Sequence, residues 1–225
     1  MKGFRQSEQR AASGERALWI ALLLAARCSL LTGAVVDRIA ALVDRQVITV
    51  SEVSQMAEIR FFPRKAGQSE DDYGHDILES LIAQALRFRD VERFGAEDIP
   101  KDSIESRFLD IQKRFPAAGD FAAAMQRVEL SADEVRALVK RQLQVEAYIQ
   151  ERFAPMIFVS TDEIEAYYRG DWSQQRRQRG LSIPPLTEVT EEIRTLLKSN
   201  RLQSEIDRWT TQLRARANVD IYSWR

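Results

Sequence analysis

The chain has 225 residues, of which 44% are hydrophobic and 30% are charged, and its formal net charge is −1 at pH 7. This length and apolar content allow one good core with a smaller second one, and they exclude a disordered chain. The near-neutral charge provides no positive surface for a phosphate backbone, so we expect no nucleic-acid binding.

The first 34 residues differ from the rest of the chain and predict a secretory signal peptide. Four basic residues precede an apolar run over residues 17–26, and the small residues Thr32, Gly33 and Ala34 follow. This order of basic, apolar and small segments is typical of an export signal. The leader holds five basic and two acidic side chains, so the chain without it has a net charge of −4.

Thr32 and Ala34 suit the −3 and −1 positions of a signal peptidase site, which places cleavage between Ala34 and Val35. The alternative is an uncleaved inner-membrane anchor, because residues 17–36 supply the ~20 residues that a membrane span needs. Arg27 lies inside that stretch, where a charged side chain costs roughly 2.5 to 3.5 kcal/mol on insertion scales.

The chain has one cysteine and one histidine, which limits the thiol and metal chemistry that it can carry out. Cys28 is the only cysteine, and Arg27 stands where a lipidated cysteine needs a small residue. If the leader is removed, the chain has no thiol and no intramolecular disulfide. His75 is the only histidine and is predicted to lie in a polar loop, so we expect no metal site and no cofactor.

After the leader, the chain is organised around residues 35–53, which predict a β-hairpin leading into a helix. Apolar alternation over residues 39–43 and the β-branched run at 47–50 indicate two short strands, joined by a turn at 44–46. An isolated hairpin is marginal in water, so another element must complete it. Residues 218–224 alternate in the same way, and we therefore predict that the two ends of the chain pair.

The sequence predicts a mainly α fold between these strands, with a core of five or six helices. A Ser or Thr followed three residues later by Glu predicts a helix start at Thr49, Ser131 and Ser160. Other helix boundaries are predicted from glycine, proline and aspartate. One helix ends at Gly95, and the next begins at Pro100 and ends at Pro116 and Gly119. A short helix has its N-cap at Asp120, and the helix that begins at Ser131 ends at Pro155.

Two stretches are predicted to be irregular. Residues 63–76 follow the Phe-Phe-Pro break and contain two glycines and four acidic side chains, which favours a mobile loop. Residues 169–183 contain Gly170 and the arginines Arg176, Arg177 and Arg179, ahead of two prolines, and are predicted to be a linker with a solvated basic face. A long helix over residues 187–217 should then deliver the chain to the last strand.

The chain contains no phosphate loop, serine nucleophile elbow, zinc-ligand spacing or paired-carboxylate pattern. We therefore expect neither catalysis nor a small-molecule substrate.

Several segments together resemble the SurA-type periplasmic chaperones. They are VDRIAALVDRQVITVSEV after the leader, ILESLIAQALRFRDVERFG, SADEVRALVKRQLQVEAYIQERF, VSTDEIEAYY, and the terminal PPLTEVTEEIRTLLKSNRLQSEIDRWTTQLRARANVDI. None is diagnostic alone, because each is an amphipathic helix with its caps, but their order and spacing are specific as a set. They cover nearly all of the chain after the leader.

The resemblance implies a domain organisation. Residues 1–34 are the signal peptide, 35–168 a helical chaperone core, 169–185 a linker, and 186–225 a C-terminal helix and strand that pack back on the core. Many of these chaperones carry parvulin prolyl-isomerase domains before the C-terminal helix. Here that interval is only the fifteen residues 169–183, and no histidine lies in it. The resemblance thus implies a chaperone core without isomerase activity.

The implied role is ATP-independent holding of unfolded outer-membrane or secreted proteins in the periplasm. No family motif marks the side chains that contact clients, so the candidates rest on chemistry alone. They are apolar or aromatic residues near predicted helix ends or beside the linker: Met56, Phe61, Phe62, Met125, Tyr167, Tyr168 and Trp172. The alternative for each of them is core packing.

Two rival functions follow from the same sequence. The first is a periplasmic adaptor or assembly subunit that binds one folded partner. The second is a prolyl isomerase, which a proline-limited refolding assay would detect.

Overall fold

A computed structural model describes residues 37–222. The predicted signal peptide, with its cleavage site between Ala34 and Val35, lies outside the described residues, as do residues 223–225. The strands are β1 (Ile39–Val43), β2 (Gln46–Thr49) and β3 (Val219–Ile221). The α-helices are α1 (Val50–Glu58), α2 (Glu70–Phe94), α3 (Lys101–Gln112), α4 (Ala118–Arg127), α5 (Ala132–Arg152), α6 (Thr161–Tyr167), α7 (Ser173–Gln178) and α8 (Leu186–Arg216).

The strands form one antiparallel sheet in the order β2-β1-β3, which confirms the predicted pairing of the chain ends. Leu42 pairs with Val47 on one side and with Asp220 on the other. The hairpin turn contains Asp44, whose φ of 52° is left-handed. The Asp44 amide donates to the carbonyl of Asn218 (2.7 Å), and the Asn218 amide donates to the Asp44 carboxylate (2.8 Å). The turn is therefore fixed by the entry to β3.

Three of the predicted helix starts are confirmed. The hydroxyls of Thr49, Ser131 and Ser160 each accept from the amide three residues later, at 3.2 Å. At Ser131 and Ser160 the glutamate three residues on also accepts from the cap amide, which completes the capping box.

The prediction of a loop over residues 63–76 is wrong for its second half. Helix α2 begins at Glu70, and the Ser69 hydroxyl caps it by accepting from the amide of Asp72 (3.1 Å). The acidic residues lie in the first helical turn, where the helix dipole favours negative charge. His75 accordingly lies on an exposed face of α2 and not in a loop.

The predicted roles of Gly119 and Asp120 are also wrong, because both lie inside α4. Its N-cap is Ala117, whose amide donates to the Asp120 carboxylate at 3.2 Å. The acidic side chain serves the helix start from the third helical position and not from the cap itself.

The segment 169–183, predicted to be irregular, is largely helical. Residues 168–172 form a π-helical turn that kinks at Gly170, and α7 follows. The Trp172 side chain is only 6% exposed and stacks on Tyr168 at 5.5 Å between ring centroids. The Tyr168 hydroxyl donates to the carbonyl of Pro184 (2.8 Å). Helix α7 is one reason why residues 37–222 hold eight α-helices where five or six were predicted.

The buried residues form three clusters, and α8 reaches all of them. The main cluster packs the sheet against α1, α2 and α5, with Ile48, Met56 and Ile77 among its members. A second cluster joins the ends of α2 and α5 to α8 around Trp209, and a third joins α6 and Trp172 to the start of α8. Within residues 37–222 no helix combines the length and apolarity needed to cross a membrane.

Candidate functional site

The segment after α1 is held in a defined shape by a helix-ending motif. Arg60 has a left-handed φ of 51°, its amide donates to Ala57, and the Phe61 amide donates to Met56 (2.9 Å). This is the Schellman pattern, with arginine where glycine is usual. The motif turns Phe61 into the core and leaves Phe62 half-buried, with the two rings edge to face at 5.2 Å.

Two arginines join this segment to the end of α3 through a reciprocal contact. Arg60 donates to the carbonyl of Arg114 (2.6 Å), and Arg114 donates to the carbonyls of Arg60 (2.6 Å) and Phe61 (2.5 Å). The Arg60 guanidinium also lies over the ring of Phe115, 4.6 Å from its centroid. Each guanidinium binds carbonyls near the end of the other helix, where positive charge is favourable.

Tyr73 connects the same segment to α2. Its hydroxyl donates to the carbonyl of Phe62 at 2.6 Å, and the Arg64 guanidinium lies 5.4 Å from the centre of its ring. Burial raises the pKa of the Tyr73 phenol, and the neighbouring arginines oppose this shift. The phenol is therefore neutral at pH 7 and acts as a fixed hydrogen-bond donor.

Two grooves meet at these residues. The first, of about 780 Å³, lies between α1, the 59–69 segment and the connection from α3 to α4. The second, of about 650 Å³, lies between α2, α5 and α8. Phe62, Pro63 and Tyr73 line both, so the grooves adjoin along these three side chains. We refer to the two together as the joined grooves.

The walls of the joined grooves combine apolar and charged side chains. The first is lined by Phe115 and Pro116, together with Arg60, Arg64, Arg114 and Arg127. The second contains the aliphatic Ile77, Val145 and Ile149, and ion pairs cross its rim. One of these pairs joins Arg214 of α8 to Glu79 of α2 at 2.5 Å. Such walls could hold apolar side chains and backbone polar groups of an extended peptide.

The seven residues predicted to contact clients do not lie together in the structure. Phe62 lines the joined grooves, and Tyr167 lines a third groove of about 760 Å³ beside α8. Met125 and Tyr168 are half-buried against core clusters. The other three, Met56, Phe61 and Trp172, are buried in the cores. A contact of these three with a client would require rearrangement, whereas Phe62 and Tyr167 lie on grooves.

Several groove residues were missed by the sequence reasoning. The sequence predicts a loop at Tyr73, although its position four residues before Ile77 continues the apolar stripe of α2 and is itself a signal for the helix. Nothing in the sequence marked Arg60 and Arg114 as groove residues, because only the folded chain brings them into contact. The short segment after α5 also exposes two large apolar side chains outside the joined grooves, Met156 (67%) and Phe158 (73%).

Ion pairs link several of the helices. Arg107 and Glu146 form a two-pronged ion pair at 3.0 and 2.8 Å between α3 and α5. In the part of the chain that the structure describes, no three His, Cys, Asp or Glu side chains come together as a possible metal site.

Known proteins similar to this chain are chaperones. No protein-family model matches it. The protein named Chaperone SurA of Pseudomonas putida is 28% identical over 171 residues, which is 69% of this chain and 40% of that protein. Chaperone SurA of Pseudomonas fluorescens is 24% identical over 152 residues (66% and 36%), and that of Saccharophagus degradans is 23% identical over 137 residues (59% and 32%).

The chain thus spans no more than 40% of the length of these relatives. Over that part, the matches agree with the resemblance drawn from the sequence segments, and the mainly α fold with its small sheet agrees with the fold predicted from the residue patterns. The chain is therefore similar to the SurA chaperones over about three fifths to two thirds of its residues.

Proposed function

We propose that this protein is an ATP-independent periplasmic chaperone that holds unfolded outer-membrane or secreted proteins, without prolyl-isomerase activity. The observation that carries the proposal is the pair of joined grooves. Each has a volume in the ~300–1,000 Å³ range of sites that bind small ligands, so each can take several side chains of an unfolded chain. The similarity to proteins named chaperone supports the same activity.

The proposal includes the expected domain organisation. The protein would be exported by the signal peptide of residues 1–34, and the core and C-terminal helix would act in the periplasm. Residues 169–185 would connect these two parts in place of a parvulin domain. The shortness of that interval and its lack of histidine support an absence of isomerase chemistry.

A light-scattering assay tests the holding activity. A denatured outer-membrane β-barrel protein is diluted into buffer without ATP, alone or with the purified protein, and two unrelated unfolded clients are treated in the same way. We expect near-stoichiometric protein to suppress aggregation of all three clients. No suppression by protein shown to be folded would contradict the proposal.

A pair of matched variants assigns the activity to the joined grooves. Phe62→Ser removes the aromatic side chain that both grooves share, and Phe94→Ser removes one that is 59% exposed and lines neither groove. We expect weaker suppression from Phe62→Ser and normal suppression from Phe94→Ser, with both variants folded by circular dichroism. Equal suppression would place client binding elsewhere.

An adaptor that binds one folded partner is the second candidate. It rests on Met156 and Phe158, two large exposed apolar side chains in one short segment on which a folded partner could pack. An adaptor would not suppress aggregation of unrelated clients, so the scattering assay separates the two functions. A proline-limited refolding assay tests the remaining alternative, and we expect no acceleration.

A further inference from the structure

The acidic side chains that line the joined grooves are already engaged. In the first groove, Glu58 pairs with Arg127, Glu70 pairs with Arg64 at 2.5 Å, and Asp120 accepts from the Ala117 amide. In the second, the acids are again paired: Asp76 with Lys65 at 2.9 Å, Glu79 with Arg214 at 2.5 Å and Glu146 with Arg107 at 2.8 Å.

Three guanidinium groups lining these grooves have no such partner. Among the described residues, no carboxylate lies within ion-pair distance of Arg60, Arg114 or Arg87. Arg60 and Arg114 donate to backbone carbonyls, and Arg87 donates through Nε to the Thr210 hydroxyl (2.8 Å). The first groove therefore has four guanidinium groups against three carboxylates. In the second groove the acidic and basic side chains are equal in number, but Arg87 has no carboxylate in direct contact.

Two of these three guanidinium groups are partly buried, and burial raises the free-energy cost of their positive charge. Burial lowers the pKa of the Arg87 and Arg114 guanidinium groups, and the acids that act on them, Asp207 and Asp110, do so only through space. A partly desolvated charge gains more from a new partner than an exposed one does. A carboxylate that entered either groove would supply that partner. Guanidinium favours a carboxylate because two of its N–H groups can donate parallel hydrogen bonds to the two carboxylate oxygens.

From this charge arrangement we infer that the joined grooves prefer client segments that carry acidic side chains next to aromatic ones. The inference rests on the proposed holding function and names the client class that the same site prefers. The aromatic side chains would pack on Phe62, Pro63 and Phe115, and the carboxylates would pair with the three guanidinium groups. Without its leader the chain has a net charge of −4, which would otherwise disfavour acidic clients, so the arginines of the grooves determine the preference.

The test compares three capped peptides of equal length in which every second residue is Tyr. The positions between are Glu, Gln or Lys, and binding to the purified protein is followed by fluorescence anisotropy. We expect the Glu peptide to bind about fivefold more tightly than the Gln peptide, the upper range for one partly exposed ion pair, and the Lys peptide to bind least. Raising the salt concentration should reduce the Glu preference, because salt screens the charge of guanidinium groups that remain partly exposed.

Matched Arg-to-Gln variants locate the effect. Arg87→Gln should reduce the ratio of Glu to Gln peptide affinity, and Arg177→Gln should leave it unchanged, because Arg177 is exposed on α7 and lines neither groove. If Arg87→Gln folds poorly, the salt titration of the unmodified protein still tests whether ion pairs cause the preference for the Glu peptide.

The outcomes separate this inference from the proposed function. If no peptide binds, the holding function fails and the preference fails with it. If the Glu and Gln peptides bind equally, or the Lys peptide binds best, holding stands and the acidic preference is wrong. An equal loss of preference in both arginine variants would also overturn the assignment to these grooves.

Discussion

Replacing Trp172 by Ala tests whether the 169–183 segment is packed as the structure describes. Trp172 is 6% exposed, lies among Ile164, Val189 and Ile193, and carries the Arg176 guanidinium 4.8 Å from its ring centroid. A buried tryptophan removes ~200 Å² from water, worth about 5 kcal/mol at 25 cal/mol per Å². This figure is an upper value, because the unfolded chain already buries part of the ring. We expect Trp172→Ala to lower the free energy of unfolding by about 3–5 kcal/mol.

The measurement is urea denaturation, with hydrogen exchange of the α6 and α7 amides beside it. Exchange is needed because the third cluster is small and could open before the rest of the protein unfolds. Leu181→Ala is the matched control from the same segment, since Leu181 is 49% exposed and should change stability by less than about 0.5 kcal/mol. If Trp172→Ala changed neither global stability nor local exchange, the segment would be the irregular linker that the sequence predicts.

Three further predictions concern stability. Removing residues 218–225 should cost about 3 kcal/mol or more, because the β1–β3 pairing is lost together with three hydrogen bonds that join Asn218 and Tyr222 to Asp44 and Ala40; an unchanged thermal midpoint would contradict the sheet. Ser131→Ala should cost about 1 kcal/mol in a urea titration through loss of the α5 cap, and an unchanged midpoint would contradict that role. Burial raises the pKa of Glu52, so its ionised form opposes folding above its ordinary pKa of 4.5. Glu52→Gln should therefore stabilise the protein at pH 7 by roughly 0.5 kcal/mol or less, with no gain below about pH 4; a gain of the same size at both pH values would contradict this reasoning.

Local signals in the sequence determined most of the elements. Strand alternation, β-branched runs and the caps at Thr49, Ser131 and Ser160 each depend on a few neighbouring residues, and the structure confirms them. The pairing of β1 with β3 was also predictable, because only one other segment alternated and the hairpin needed a partner. The start of α2 was missed because two glycines outweighed the Ser69 cap, although burial of Tyr73 in the core stabilises that turn.

The candidate site depended on tertiary structure. Phe62 could be named from its chemistry, but whether an apolar side chain lines a groove or fills the core depends on elements distant in sequence, and so Met56 and Trp172 proved buried. The charge of the joined grooves was equally hidden, since the sequence gives only a balanced total. Ion pairs between separate helices neutralise most of the groove charges and leave a few arginines without a carboxylate. The sequence by itself determined the helices, their caps and the closing strand, and the three-dimensional packing decided which side chains a partner can reach.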